Sequence, residues 1–120
     1  MNKFNTAFTA TLNAALTAEL STTSAYGDVI IYHPPASCTT NDLFVTVNGG
    51  TAPYTYTWSR VSGSATPAIY NTSPNYAIWS ATSSTPTTMN AVWHCVVTDH
   101  KGKTATTPNI SVQLIFESNS

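Results

Sequence analysis

Charge is the scarcest property of this chain: 8% of its 120 residues are Asp, Glu, Lys or Arg, against about 25% in ordinary soluble domains. Lys3, Arg60, Lys101 and Lys103 are scattered among Glu19, Asp28, Asp42, Asp99 and Glu117, for a formal net charge of −1. No cluster of cations is present to hold a phosphate backbone, which argues against a nucleic-acid partner. Long apolar runs are missing too, and nothing approaches the roughly 20 apolar residues of a membrane span. The apolar stretch of a secretory leader is broken by Asn5, Thr6, Thr9, Thr11 and Asn13, so the expectation is a short protein starting at its own Met without a leader.

Reactive groups are few. His33, His94 and His100 are the only imidazoles, and no metal-ligand spacing joins them to one another or to Cys38 and Cys95. Scattered acids form no pair that would flank a glycosidic bond. The many serines include none on a Gly-x-Ser-x-Gly elbow. These absences point away from an enzyme, and no cofactor or metal is expected. Two cysteines allow one disulfide. Cys38, however, has the opposite side parity to Leu43, Val45 and Val47 of the strand that follows it, so two separate thiols are the plainer expectation, with Cys95 a small buried hydrophobe.

What the chain does have is hydroxyl and alternation. Nearly one residue in three is Ser or Thr, the composition of a β-surface without charge. Free domains ordinarily carry surface charge that resists association, so a surface this neutral suits a chain held inside an assembly. The segment Gly49-Gly50-Thr51-Ala52-Pro53-Tyr54-Thr55-Tyr56-Thr57-Trp58 places Tyr54, Tyr56 and Trp58 on one side of a strand. Trp93, Cys95 and Val97 share one side of another, within Trp93-His94-Cys95-Val96-Val97-Thr98-Asp99-His100-Lys101-Gly102.

Further strands are expected at 27–32, closed by His33-Pro34-Pro35, at 43–48, at 68–70 and 76–79, at 91–98, and at 104–106 with 110–116. Asp99 opens a turn in which its carboxylate bonds its own backbone. Short strands at this spacing predict an all-β, antiparallel β-sandwich over residues 25–120. Trp58, Trp93 and Cys95 are its predicted core. Tyr70, Tyr76 and Trp79 lie in the irregular middle, where an exposed ring would stack on a sugar and a buried one would fill the core. A sandwich this small needs its large side chains inside.

Residues 1–24 differ. Phe4, Phe8, Leu12, Leu16 and Leu20 recur every fourth residue with alanines between them, the pattern of an apolar helical stripe. A helix over about 6–20 is expected, although Phe8-Thr9-Ala10-Thr11-Leu12 also suits an extended arm. In either form the stripe needs a partner, in its own sandwich or in a neighbouring subunit.

The pattern Gly-Gly-Thr-x-Pro-Tyr-x-Tyr-x-Trp, followed about thirty-five residues later by Trp-x-Cys-x-Val-Thr-Asp-x-x-Gly-x-Thr-Ala, is similar to the Ig-like and PKD-like domains of bacterial surface proteins. It also resembles small Ig-like proteins of tailed bacteriophages. Trp93 stands where antibody-type domains carry their corner tyrosine, a departure from eukaryotic immunoglobulin domains. The resemblance implies an Ig-like fold and a non-enzymatic interaction module. A leaderless chain with an N-terminal arm suggests a virion structural protein, as head decoration before tail component. Its partners would be other virion proteins and copies of itself. The alternative is a cell-surface adhesion module that binds host glycans.

Overall fold

A computed structural model describes residues 15–70 and 73–119, and among them every regular element is a strand. In chain order these are β1 (Thr17–Leu20), β2 (Ser24–Ile31), β3 (Ala36–Thr39), β4 (Leu43–Asn48), β5 (Thr55–Gly63), β6 (Ala68–Tyr70), β7 (Tyr76–Ser83), β8 (Thr87–Thr98), β9 (Thr104–Thr106) and β10 (Ile110–Ser118). They form two five-stranded sheets. The first runs β1-β4-β7-β3 with β6 also on β7, and the second runs β2-β10-β8-β5 with β9 also on β8. The inner faces pack together as a β-sandwich.

Each sheet contains an interrupted strand. β3 and β4 follow one another along β7, and β9 and β10 follow one another along β8, with the register slipping by one residue across each break. The same device mends both breaks. Thr40 donates its N–H to the Trp79 carbonyl, and its hydroxyl accepts the Trp79 N–H at 3.0 Å. Thr107 does the same with Cys95, again with a 3.0 Å bond to the hydroxyl. Both threonines are buried, so a side-chain oxygen replaces a ladder carbonyl that the slipped backbone no longer supplies.

One pairing departs from the antiparallel expectation: β2 runs parallel to β10, from Ser24 opposite Ser111 to Ile31 opposite Ser118. β2 enters at the margin where the two sheets approach each other. A Cβ on Gly27 would lie 2.6 Å from the Thr39 carbonyl oxygen and 2.9 Å from a Leu114 methyl, so glycine is what lets the strand sit there.

The helix expected over 6–20 is corrected at its C-terminal end. Thr17–Leu20 is strand, antiparallel to β4, with Ala18 opposite Val47 and Leu20 opposite Val45. Ala18 and Leu20 turn inward while Thr17 and Glu19 stay exposed. A ladder of main-chain bonds to β4 outweighs a helix stripe diluted by threonine. The sheet therefore reaches into the segment expected to be an arm, and residues 1–14 lie outside the described residues.

Trp79 is the centre of the core. It is fully buried with Leu43 and Ala77 from the first sheet and Ala91, Ile110 and Val112 from the second, and the half-buried Trp58 and Trp93 pack against that group. The Trp79 ring meets Trp58 edge-on at 6.1 Å and Trp93 at 5.8 Å. Cys95 lies with Val45 and Val97 toward one end, and Cys38 with Leu114 and Phe116 toward the other. Both thiols are free.

Candidate functional site

The predicted glycan-stacking residues separate by strand parity. Trp79 faces inward and has no exposed surface, which removes it as a sugar platform. Tyr76 and Tyr70 face outward on the first sheet. Tyr76 stands directly opposite Phe44, and Tyr70 directly opposite Ile78. Tyr76 and Ile78 lie two residues apart on one strand and so share a face. The result is a continuous stripe, Phe44, Tyr76, Ile78 and Tyr70, crossing β4, β7 and β6.

Phe44 is 45% exposed and Tyr70 62% exposed, far more than side chains spent on the chain's own core. The Phe44 and Tyr76 rings pack tilted at 5.0 Å, within the range of favourable aromatic pairs. The Tyr76 hydroxyl donates to Asp42 Oδ1 at 2.8 Å. That bond, with desolvation beside it, raises the phenol above its ordinary value, so Tyr76 remains a protonated donor. Ser21 pins the start of β4, accepting the Phe44 N–H on its hydroxyl and donating its own N–H to the Phe44 carbonyl. Phe44 was legible as an outward residue: Leu43, Val45 and Val47 claim the inner side of that strand.

Of the five apolar residues expected to contact a neighbour, Phe4, Phe8 and Leu12 lie outside the described residues. Leu20 packs against the core of its own chain, which corrects its assignment as an assembly contact, and Leu16 is half-buried. Cys95 is buried, and Trp58 and Trp93 are half-buried and pack against the central cluster. The Trp58 indole N–H reaches the Pro74 carbonyl at 3.0 Å, whereas the buried indole N–H groups of Trp79 and Trp93 meet no acceptor among the described residues.

The reactive side chains are dispersed or committed. Burial pushes the Cys95 thiol up to about 11 and raises that of Cys38 as well, so both remain thiols at neutral pH. No group of three or more His, Cys, Asp or Glu side chains converges among the described residues. Asp99 is spent on its turn. Its Oδ1 accepts the N–H groups of Lys101 and Lys103, each at 2.9 Å, and its Oδ2 accepts that of Thr51 at 3.0 Å. Burial alone would raise this carboxyl, but the bonds from Lys103, Thr51 and Lys101 outweigh it and hold the group below its ordinary value. Asp99 thereby ties the turn after β8 to the loop before β5.

No protein-family model matches the chain, and no curated protein does. Among solved structures it is similar to the solution structure of the PKD domain from human KIAA0319, at a TM-score of 0.43 and 12% identity, over 87% of this chain and 84% of that one.

Proposed function

We propose that this chain is a non-enzymatic structural protein of a multi-copy assembly, the virion of a tailed bacteriophage, where it acts as a head decoration, with a tail component as the alternative position. The observation that carries the assembly role is the stripe Phe44, Tyr76, Ile78 and Tyr70. Four large apolar side chains on three adjacent strands leave apolar surface in water, and a contiguous exposed patch of that kind marks a protein contact. Two carboxylates lie on this face beside the stripe: Asp42, hydrogen-bonded to Tyr76, and the exposed Glu19 of β1, opposite Thr46. Two copies meeting through this face bring the apolar stripe of each against the other in a self-complementary two-fold contact. The phage assignment is supported by the resemblance of residues 36–116 to small Ig-like phage proteins and by the scarcity of charge.

Residues 1–14 supply the second attachment, through Phe4, Phe8 and Leu12. Repeated weak contacts of two kinds hold a subunit by avidity where either alone is weak. Cutting after residue 14 leaves β1 in place, so a chain starting at residue 15 is expected to fold. Particles assembled with that truncated chain, or with Phe44→Ser/Tyr70→Ser, are expected to lose most of it during purification. Retention of both variants at the wild-type level contradicts the proposal.

A further inference from the structure

The outward face of the second sheet, on the side of the sandwich opposite the aromatic stripe, holds a groove of about 470 Å³, within the size range of small-ligand sites. Register explains its lining. Tyr26, Gln113 and Asn90 stand in one row across β2, β10 and β8, and Ser24, Ser111, Val92 and Ser62 stand in the next row, which continues onto β5. No charged side chain lines it.

Three features make it a formed site. Gln113 Nε2 donates to Asn90 Oδ1 at 3.0 Å, which orients both amides and leaves Gln113 Oε1 as an acceptor beside the Asn90 Nδ2 donor. Tyr26 is held from its outer edge by Asn41, whose Oδ1 accepts the Tyr26 N–H at 2.8 Å and whose N–H donates to the Tyr26 carbonyl. The residue is 46% exposed, and it forms one wall of the groove. The bulge in β5 between Arg60 and Ser62 brings Gly63, at φ +89°, so close to β8 that a Cβ there would lie 2.5 Å from the Asn90 carbonyl oxygen. Arg60 donates to the Gly63 carbonyl at 2.8 Å and fixes that wall.

We infer that this groove binds a neutral carbohydrate. Phosphates and other anions find no cation in the lining, and the carboxylates nearest Tyr26, Asp28 and Glu117, hydrogen-bond to each other outside it. Vicinal hydroxyls match an adjacent amide acceptor and amide donor flanked by three serine hydroxyls. The apolar face of a sugar ring matches the exposed face of Tyr26. The sugar face and the stripe point in opposite directions, so a subunit docked by its first sheet still presents the groove, and failure at either site leaves the other intact.

The test is an amide chemical-shift titration of the full chain with maltotetraose and with chitotetraose, neutral sugars without and with N-acetyl groups. The expected result is saturable binding to one of them with Kd on the order of 1 mM. Shifts would be confined to Tyr26, Ser62, Gly63, Asn90, Val92 and Gln113. Tyr26→Ala and Gln113→Ala each remove the response while the rest of the spectrum stays native. The inference is overturned by no response to either sugar at about 20 mM, well above that Kd. Shifts elsewhere, or binding unchanged in both variants, also overturn it, as does a response to a Ser/Thr-rich pentapeptide but to neither sugar.

Discussion

At the scale of single residues the fold turns on one tryptophan and two threonines. Trp79 bridges the sheets and touches both other tryptophans, so Trp79→Ala is expected to cost about 3–5 kcal/mol in urea unfolding, the usual range for emptying a large aromatic site. Thr107→Val keeps shape but leaves the Cys95 N–H without its acceptor. An expected loss of about 1–3 kcal/mol follows, with Thr107→Ser close to wild type. Neither role was legible in the sequence. Tyr76 and Trp79 have opposite parity in a four-residue window, so alternation alone did not say which ring faces the core. A threonine that mends a strand break looks like any other in a chain so rich in hydroxyls. Trp58, Trp93 and Cys95 were legible, because each sits in a long alternating run, Trp58 sharing its side with Tyr54 and Tyr56, and Trp93 and Cys95 sharing theirs with Val97.

At the scale of elements, strands with clean alternation emerged from sequence with close bounds, and β4 (Leu43–Asn48) is the plainest example. β1 was hidden because its alanines and leucines also fit a four-residue period. β3 was hidden because Ala-Ser-Cys-Thr is short and carries no large side chain. The close approach of β2 to β3 makes Gly27→Ala destabilising by about 1–3 kcal/mol, since the obstructing atom is backbone, and calorimetry measures the loss.

Two carboxyls, Asp99 in the turn after β8 and Glu117 on β10, give stability opposite dependences on pH. Asp99, held below its ordinary value of 3.8, contributes stability above that pH, and the contribution is lost as pH falls through the lower folded-state value. Glu117 shares a hydrogen bond with Asp28 on the neighbouring strand, and this together with their mutual repulsion raises it above 4.5. Its contribution is present below that pH and is lost as pH rises through the raised value. Thermal melts across pH 2–7 are expected to show Asp99→Ala with a lower melting temperature and a flattened acid limb. Glu117→Gln flattens the decline on the higher-pH side instead. Parallel curves for wild type and both variants contradict this assignment.

At the scale of the whole molecule, the sandwich offers two outward faces of different chemistry. The first sheet shows an aromatic stripe, and the second a neutral polar groove. The scarcity of charge in the sequence suits a surface that makes contacts, but does not say which face would make them, because that depends on strand order. β4, β7 and β6 bring Phe44, Tyr76 and Tyr70 together from positions up to 32 residues apart in the chain. The central claim is that this stripe joins subunits. Sedimentation velocity of the full chain and of Phe44→Ser/Tyr70→Ser, from about 10 µM to 1 mM to span Kd values of weak contacts, tests it most directly. The account predicts a wild-type chain that grows beyond its 12.8 kDa monomer with concentration, and a folded double variant that stays monomeric. A wild-type monomer throughout, or self-association equal in both, would contradict it.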